Sequence, residues 1–183
     1  LIGEQTWISE NLEVTHYNNG EEIISGYNTG NWVDLTDGAY VVYDNDPANT
    51  EIYGNLYNWY SINDPRGLCP EGWHVPSDNE WRILTNYFGD NPGGKMKECT
   101  DGSCPESNYW DIPNTNATNE SGFTALPSGY YSYEGFKHLG STSYFWSSNE
   151  YQAQGQFLDK NSESLIGIPS SKSSYYSIRC IKD

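Results

Sequence analysis

The sequence predicts an α+β domain in which two short helices come early and a loop-rich, twisted antiparallel sheet comes late, the whole stapled by disulfides. Three observations predict it. A capped amphipathic helix is written over residues 77–88, the remaining apolar residues fall in short runs broken by Gly, Asn and Ser, and four cysteines are spread over the chain. At 183 residues the chain fits one domain, taken here as residues 1–183. Aliphatic residues are sparse beside seven Trp, sixteen Tyr and five Phe, so the core is expected to rest on a few large rings.

The elements follow in order. IGEQTWISENLEVTHYNNGEEI alternates apolar and polar residues and breaks at Asn18-Asn19-Gly20, which reads as strand and then turn. AYVVYDND at 39–46 reads as a strand. YGNLYNWYSI at 53–62 places Leu56, Tyr57 and Tyr60 at the spacing of a short amphipathic helix. In the second helix, Ser77 and Glu80 form a capping box, Trp81, Leu84 and Phe88 form one apolar stripe, and Gly89 stands where a left-handed cap belongs. Residues 90–120 read as an Asn-rich loop, Glu134-Gly135 as a hairpin turn, and YYSIRCIKD as a terminal strand.

The net charge of −16, with only nine Lys plus Arg, repels phosphate backbones and anionic lipid, so no nucleic-acid partner is expected. No apolar run approaches the roughly 20 residues needed to cross a bilayer, so no membrane insertion by this domain is expected either.

Cys69, Cys99, Cys104 and Cys180 allow three pairings. Cys99 and Cys104 bracket the turn sequence TDGS, which leaves Cys69, just before the capped helix, to join Cys180 near the end. An even count in an acidic, loop-rich chain fits an oxidising compartment. Two sharper readings compete. Cys69, His74, Cys99 and Cys104 would make a Cys3His zinc set, but neither spacing is a knuckle and Cys180 would be left over. Cys69 with His74 as base would make a nucleophile, with nothing in WHVP to aim the imidazole. Disulfides are the expectation, and no metal.

DNDPANTE at 44–51 gathers Asp44, Asp46, Asn49 and Glu51, hard oxygen ligands that suit calcium, though without the glycine and glutamate of an EF-hand loop. An Asx-type turn explains the same residues, and no cofactor is assigned. No Ser-His-Asp order, phosphate loop or HExxH motif is present.

Six blocks occur in order: IGEQTWISENL, YGNLYNWY, LCPEGWHVPSDNEW, ESGFTALPSGY, FWSSNEY and SIRCIKD. Together they resemble the Fibrobacter succinogenes major paralogous (FISUMP) domain family over nearly the whole chain. The resemblance implies a secreted or lipid-anchored bacterial surface protein with a C-type-lectin-like fold akin to formylglycine-generating enzymes. It also implies a strand ahead of IGEQTW of which this chain lacks part. Neither signature activity carries over: only Cys180 lies where a formylglycine-generating enzyme has two cysteines, and the sugar-binding calcium motifs of C-type lectins are missing. The segment CPEGWHVPSDNEW is therefore read as scaffold, with Trp73 buried, His74 a satisfied buried histidine, and Trp7, Trp59, Trp81 and Trp146 in the core.

In lectin-like folds the long loops and short strands before the last strand form the exposed face, here residues 150–176. Tyr151, Gln154, Gln156, Phe157, Leu165, Ile166, Ile168, Ser171 and Tyr175 are the candidate ligand-binding residues, aromatics and aliphatics among adaptable polar groups. The resemblance implies that such a face is diversified. The function expected is non-enzymatic recognition or adhesion outside the cell or at the bacterial surface, with a glycan or protein ligand. The alternative is a secreted hydrolase or metal-dependent enzyme on the formylglycine-generating-enzyme scaffold.

Overall fold

A computed structural model of the chain describes residues 1–25, 34–100, 106–149 and 151–183. Among them the architecture is α+β, with four short helices and three curled sheets. The largest sheet has the order β1-β2-β3-β10-β5-β6, built from Ile24–Ser25, Ala39–Val41, Leu56–Asn58, Tyr175–Tyr176, Tyr130–Ser132 and Gly135–Lys137. A pair joins β4 (Trp73–His74) to β11 (Ile181–Lys182), and a third sheet runs β7 (Thr142–Ser147), β8 (Gln154–Asp159), β9 (Ile166–Pro169). All pairings are antiparallel except β1 with β2.

The capped helix forms as its sequence dictates. In α3 (Asp78–Phe88) the Ser77 side chain accepts from the Glu80 N–H while the Glu80 carboxylate accepts from the Ser77 N–H at 2.7 Å, so each end of the box satisfies an orphan donor. Trp81, Leu84 and Phe88 point inward from it. Gly89 has φ of +66°, as glycine permits, but its ψ of −121° lies outside the left-handed helical region.

Other elements depart from the sequence reading. Residues 53–62 are not one helix: α1 (Ala48–Tyr53) ends there, Leu56–Asn58 is a strand, and only Trp59–Ile62 (α2) is helical. Tyr57 is inserted between Tyr40 of β2 and Tyr176 of β10 and is fully buried, so sheet pairing overrides its helical spacing. Within 39–46 only Ala39–Val41 is strand; a 3₁₀ turn at Tyr43–Asn45 ends it, with Asp44 at φ +52°. The Asn-rich loop contains α4 (Pro92–Met96), whose Gly93 and Gly94 lie against the backbone of Ser164 and Asn116, where a Cβ has no room. The hairpin turn is Tyr133-Glu134, one residue earlier than read, because Gly135 pairs with Ser132. YYSIRCIKD is two short strands rather than one.

Residues 2–12 do not form a regular strand. They run beside the end of the chain, with the Ile8 and Leu12 N–H groups donating to the Cys180 and Ile178 carbonyls at 3.0 and 2.9 Å. Around residues 8–11 the irregular path is held by Arg179, 1% exposed, whose guanidinium donates to the carbonyls of Ser9 (2.9 Å) and Phe123 (2.6 Å) and to Asn11 Oδ1 (2.7 Å), and lies over the Phe123 ring at 4.5 Å. Carbonyls that a strand would pair are turned toward a cation instead. Lys97 does the same elsewhere: its fully buried ammonium donates to the carbonyls of Thr115, Asp159 and Ser162 at 2.9, 3.2 and 2.9 Å. Burial pushes Arg179 down to about 9 and Lys97 down to about 8, both still protonated at neutral pH.

The Cys69–Cys180 bridge is present, with Cα atoms 6.1 Å apart, and its cluster includes Trp146, Tyr57 and Ile178. This removes both the zinc set and the Cys69 nucleophile. Cys99 is disulfide-bonded, and Cys104, the partner expected for it, lies outside the described residues. A second cluster gathers Trp7, Trp81, Trp110, Phe123 and Phe145. Trp73, expected in the core, is only half-buried. Among the described residues no helix is long and apolar enough to cross a membrane.

Two stability outcomes follow. Arg179→Met leaves several buried carbonyls without a donor and is expected to cost about 2–4 kcal/mol in urea unfolding, at about 1–3 kcal/mol per unsatisfied group less the relief of burying no charge. Opening the Cys69–Cys180 bridge, which spans 111 residues, is expected to cost about 4–5 kcal/mol on the loop-entropy account, read as a lower urea midpoint for the Cys69→Ser/Cys180→Ser double variant.

Candidate functional site

The candidate residues of 150–176 lie on the antiparallel β8–β9 hairpin and the connections around it. In β8 successive side chains point to opposite faces, and the register with β7 and β9 fixes which neighbours each meets. The candidates are thereby divided. Phe157 stands opposite Tyr144 of β7 and Ile166 of β9, and Ile168 stands opposite Gly155, all on one face. Gln154 and Gln156 share the other face with Leu158, which enters the core.

The first face is aromatic. The Phe157 and Tyr144 ring centroids are 4.8 Å apart, Tyr144 is 4.9 Å from both Tyr130 and Tyr176, and His138 stacks on Tyr130 at 5.8 Å and 20°. At the β10 end Trp146 and Tyr176 close the face and are buried; at the other end Tyr130, Tyr144 and Phe157 stay half-buried and Ile166 is 45% exposed. Burial raises the Tyr144 hydroxyl well above its ordinary range, as do its tyrosine neighbours. Tyr130, Tyr144 and His138 were not among the residues picked from the sequence. The alternation of Tyr144 with Trp146 in YFW carried the signal, but only the pairing tells which of its two faces stays open.

The second face forms a small cleft of about 250 Å³ against α3, lined among others by Asp78, Trp81, Gln154, Gln156, Leu165 and Gly167. Gln156 is 8% exposed, more buried than a surface ligand residue was expected to be. Tyr175 is wholly buried and is no contact residue, because β10 is sandwiched between β3 and β5. Tyr151 is 91% exposed but sits in the β7–β8 connection, where Asn149 Oδ1 accepts from its N–H. Ser171 is exposed in the β9–β10 connection and bonds Ser173 Oγ at 2.9 Å.

The other candidates resolve as local structure. Asp46 Oδ1 accepts from the Ala48 N–H at 3.0 Å, an Asx turn, and the Asn49 amide donates to the Tyr43 carbonyl at 3.0 Å. Among the described residues no group of three or more His, Cys, Asp or Glu side chains is arranged to hold a metal. A cleft of about 440 Å³ has Glu10, Glu13, Glu51 and Glu98 in its lining, but the Arg179 beneath it is committed to the backbone bonds described above.

His74 is not the buried histidine expected. Its side chain is 41% exposed and clamped at both nitrogens, Nδ1 to Asp183 at 2.7 Å and Nε2 to the capping-box Glu80 at 2.8 Å. It pairs across β4–β11 with Ile181, so the clamp ties the end of the chain to the start of α3.

A family model, the Fibrobacter succinogenes major domain (Fib_succ_major), matches residues 1–182. The chain belongs to this family. No curated protein and no solved structure matches it. In this member of the family, the block CPEGWHVPSDNEW is a continuous piece of framework: disulfide, β4, the His74 clamp and the helix cap follow one another without a break.

Partial burial lowers the His74 pKa, but the bonds to Asp183 and Glu80 outweigh it and the net shift is upward. With the folded value above the unfolded one near 6.5, the clamp contributes fully below about pH 6.5 and is lost as pH rises through the folded value. An NMR titration is expected to give His74 a pKa above the ordinary value, and Asp183→Asn to bring it down. The stability difference between the two proteins should shrink as pH rises through that range.

Proposed function

We propose that this domain is a non-enzymatic extracellular recognition or adhesion module that binds a glycan or protein ligand on the β7–β8–β9 sheet of its C-terminal half. The observation that carries the reading is the continuous aromatic stripe from His138 through Tyr130 and Tyr144 to Phe157 and Ile166, left half-open on a sheet whose other end is sealed by Trp146 and Tyr176. Rigid aromatic side chains give large contact area at low entropic cost, and a monomer that leaves several of them together in water is offering them to something. A bridge between Cys69 and Cys180 supports a secreted or cell-surface location.

The fold is proposed to be C-type-lectin-like, on the grounds of few helices, curled antiparallel sheets and a long-range disulfide from ahead of α3 to the chain end. In such a scaffold the open strands are the place where a family diversifies its ligand. Against the hydrolase alternative, the one histidine flanked by two carboxylates has both ring nitrogens already engaged, so it offers no free base to a substrate.

The purified domain on glycan and protein arrays is expected to give a saturable hit. Tyr144→Ala, which opens the middle of the stripe, should weaken that hit at least about tenfold, the effect of a buried aromatic anchor worth 1–2 kcal/mol or more. Binding that survives in both Tyr144→Ala and Phe157→Ala would move the recognition surface elsewhere.

A further inference from the structure

We infer that the cleft between α3 and the β8–β9 hairpin is a second binding site, for a single uncharged sugar ring. The inference rests on the recognition reading above but concerns the opposite face of the same hairpin.

The first observation is Gln156. It is 8% exposed, its amide opens into the cleft, and among the described residues it has no hydrogen-bond partner. The amide still reaches the solvent of the cleft, so its bonding capacity is open to a donor or acceptor from outside.

The second is Gly167. A Cβ at that position would lie 3.3 Å from the Gln154 amide and 3.6 and 3.8 Å from the two polar atoms of the Gln156 amide. A Cβ there would touch both amides, and a larger side chain would cover them; glycine leaves them open.

The third is the balance of charge and hydrogen-bonding capacity. Asp78 on the α3 side is spent within the protein: its carboxylate accepts from the Ser147 hydroxyl, from Asn149 Nδ2 at 2.7 Å, and, in the orientation that satisfies both ends of that amide, from Gln154 at 2.8 Å. That orientation turns the Gln154 carbonyl oxygen toward Gly167. Arg82, one helical turn on from Asp78 along α3, commits one N–H to Asn79, so the cleft lining carries a charge of each sign and favours neither a cation nor an anion. What remains on offer is a mixed set of amide donors and acceptors beside the Trp81 side chain, whose indole N–H is taken by the Trp146 carbonyl.

Hydroxyl groups both donate and accept, and so match a mixed amide set without a charge to be compensated. The volume of about 250 Å³ falls below the roughly 300–1,000 Å³ of clefts that hold drug-sized ligands, which limits the occupant to one ring.

The test is a titration of the ¹⁵N-labelled domain with the methyl glycosides of glucose, galactose, mannose and N-acetylglucosamine, with N-acetylglycinamide as the amide control. At least one glycoside is expected to shift the side-chain amide signals of Gln154 and Gln156 and the Trp81 indole signal saturably. Gln156→Leu should weaken that binding at least about tenfold, as loss of the hydrogen bonds of one amide implies. Gly167→Val, which lids the cleft without removing a polar group, should do the same and serves where Gln156→Leu fails to fold. Glycosides that leave these signals unmoved, shifts that persist in the well-folded Gly167→Val protein, or shifts produced only by N-acetylglycinamide would each overturn the inference. Array binding lost in Tyr144→Ala but kept in Gln156→Leu, with no glycoside shifts, removes this site and leaves the aromatic face standing; glycoside shifts at Gln156 without any effect of Tyr144→Ala do the reverse.

Discussion

The backbone carbonyls of a loop-rich domain need donors that strands do not supply, and Arg179 is where this protein meets that constraint. Its guanidinium gathers oxygens from residues 8–11 and 123–124, two segments that no sheet joins. A carboxylate partner would have cancelled the charge but satisfied none of those carbonyls. The adjacent Cys180 bonds to Cys69, and the flanking Ile178 and Ser177 carbonyls accept from Leu12 and Trp146. Residues 177–181 are thus a spine to which the start of the chain, the α3 entry and β7 are all attached. Lys97 repeats the device for residues 115, 159 and 162.

The aromatic core follows from the same shortage of regular structure. Strands of two to six residues bury few side chains each, so each buried one has to be large. Indole N–H groups then serve as further crosslinks: Trp146 donates to the Tyr57 carbonyl at 2.6 Å, Trp110 to that of Ala125 at 2.8 Å. One side chain supplies both apolar area and a donor for an unpaired carbonyl.

With the spine fixed, β7 is fixed, and β8 and β9 hang from it as a hairpin with two faces. One carries the aromatic stripe; the other enters the second core cluster at Leu158 and opens at Gln154 and Gln156 into the cleft beside α3. The titratable residues drawn together elsewhere, His74 with Glu80 and Asp183, are occupied in holding the end of the chain to the helix.

What the sequence determined by itself is local. The Ser77–Glu80 box and the Trp81, Leu84, Phe88 stripe specify α3 because all their partners lie within one or two turns. The Asx turn at Asp46 and the tyrosine-glutamate hairpin are legible for the same reason, the latter to within one residue. The Cys69–Cys180 pairing came from elimination among four cysteines, and six ordered blocks identified the family. Tertiary structure alone decided the rest. Leu56–Asn58 is strand because it is flanked by β2 and β10, distant in sequence; the Ile8 and Ser9 carbonyls leave a strand pattern because a cation about 170 residues away draws them aside. The candidate ligand residues all fall within 150–176, yet Tyr175 is core and the glutamines and Phe157 face opposite ways. A period-two strand says that neighbours diverge, but which side meets a helix, which meets water and which strand ends up sandwiched is set by pairing across the sheet.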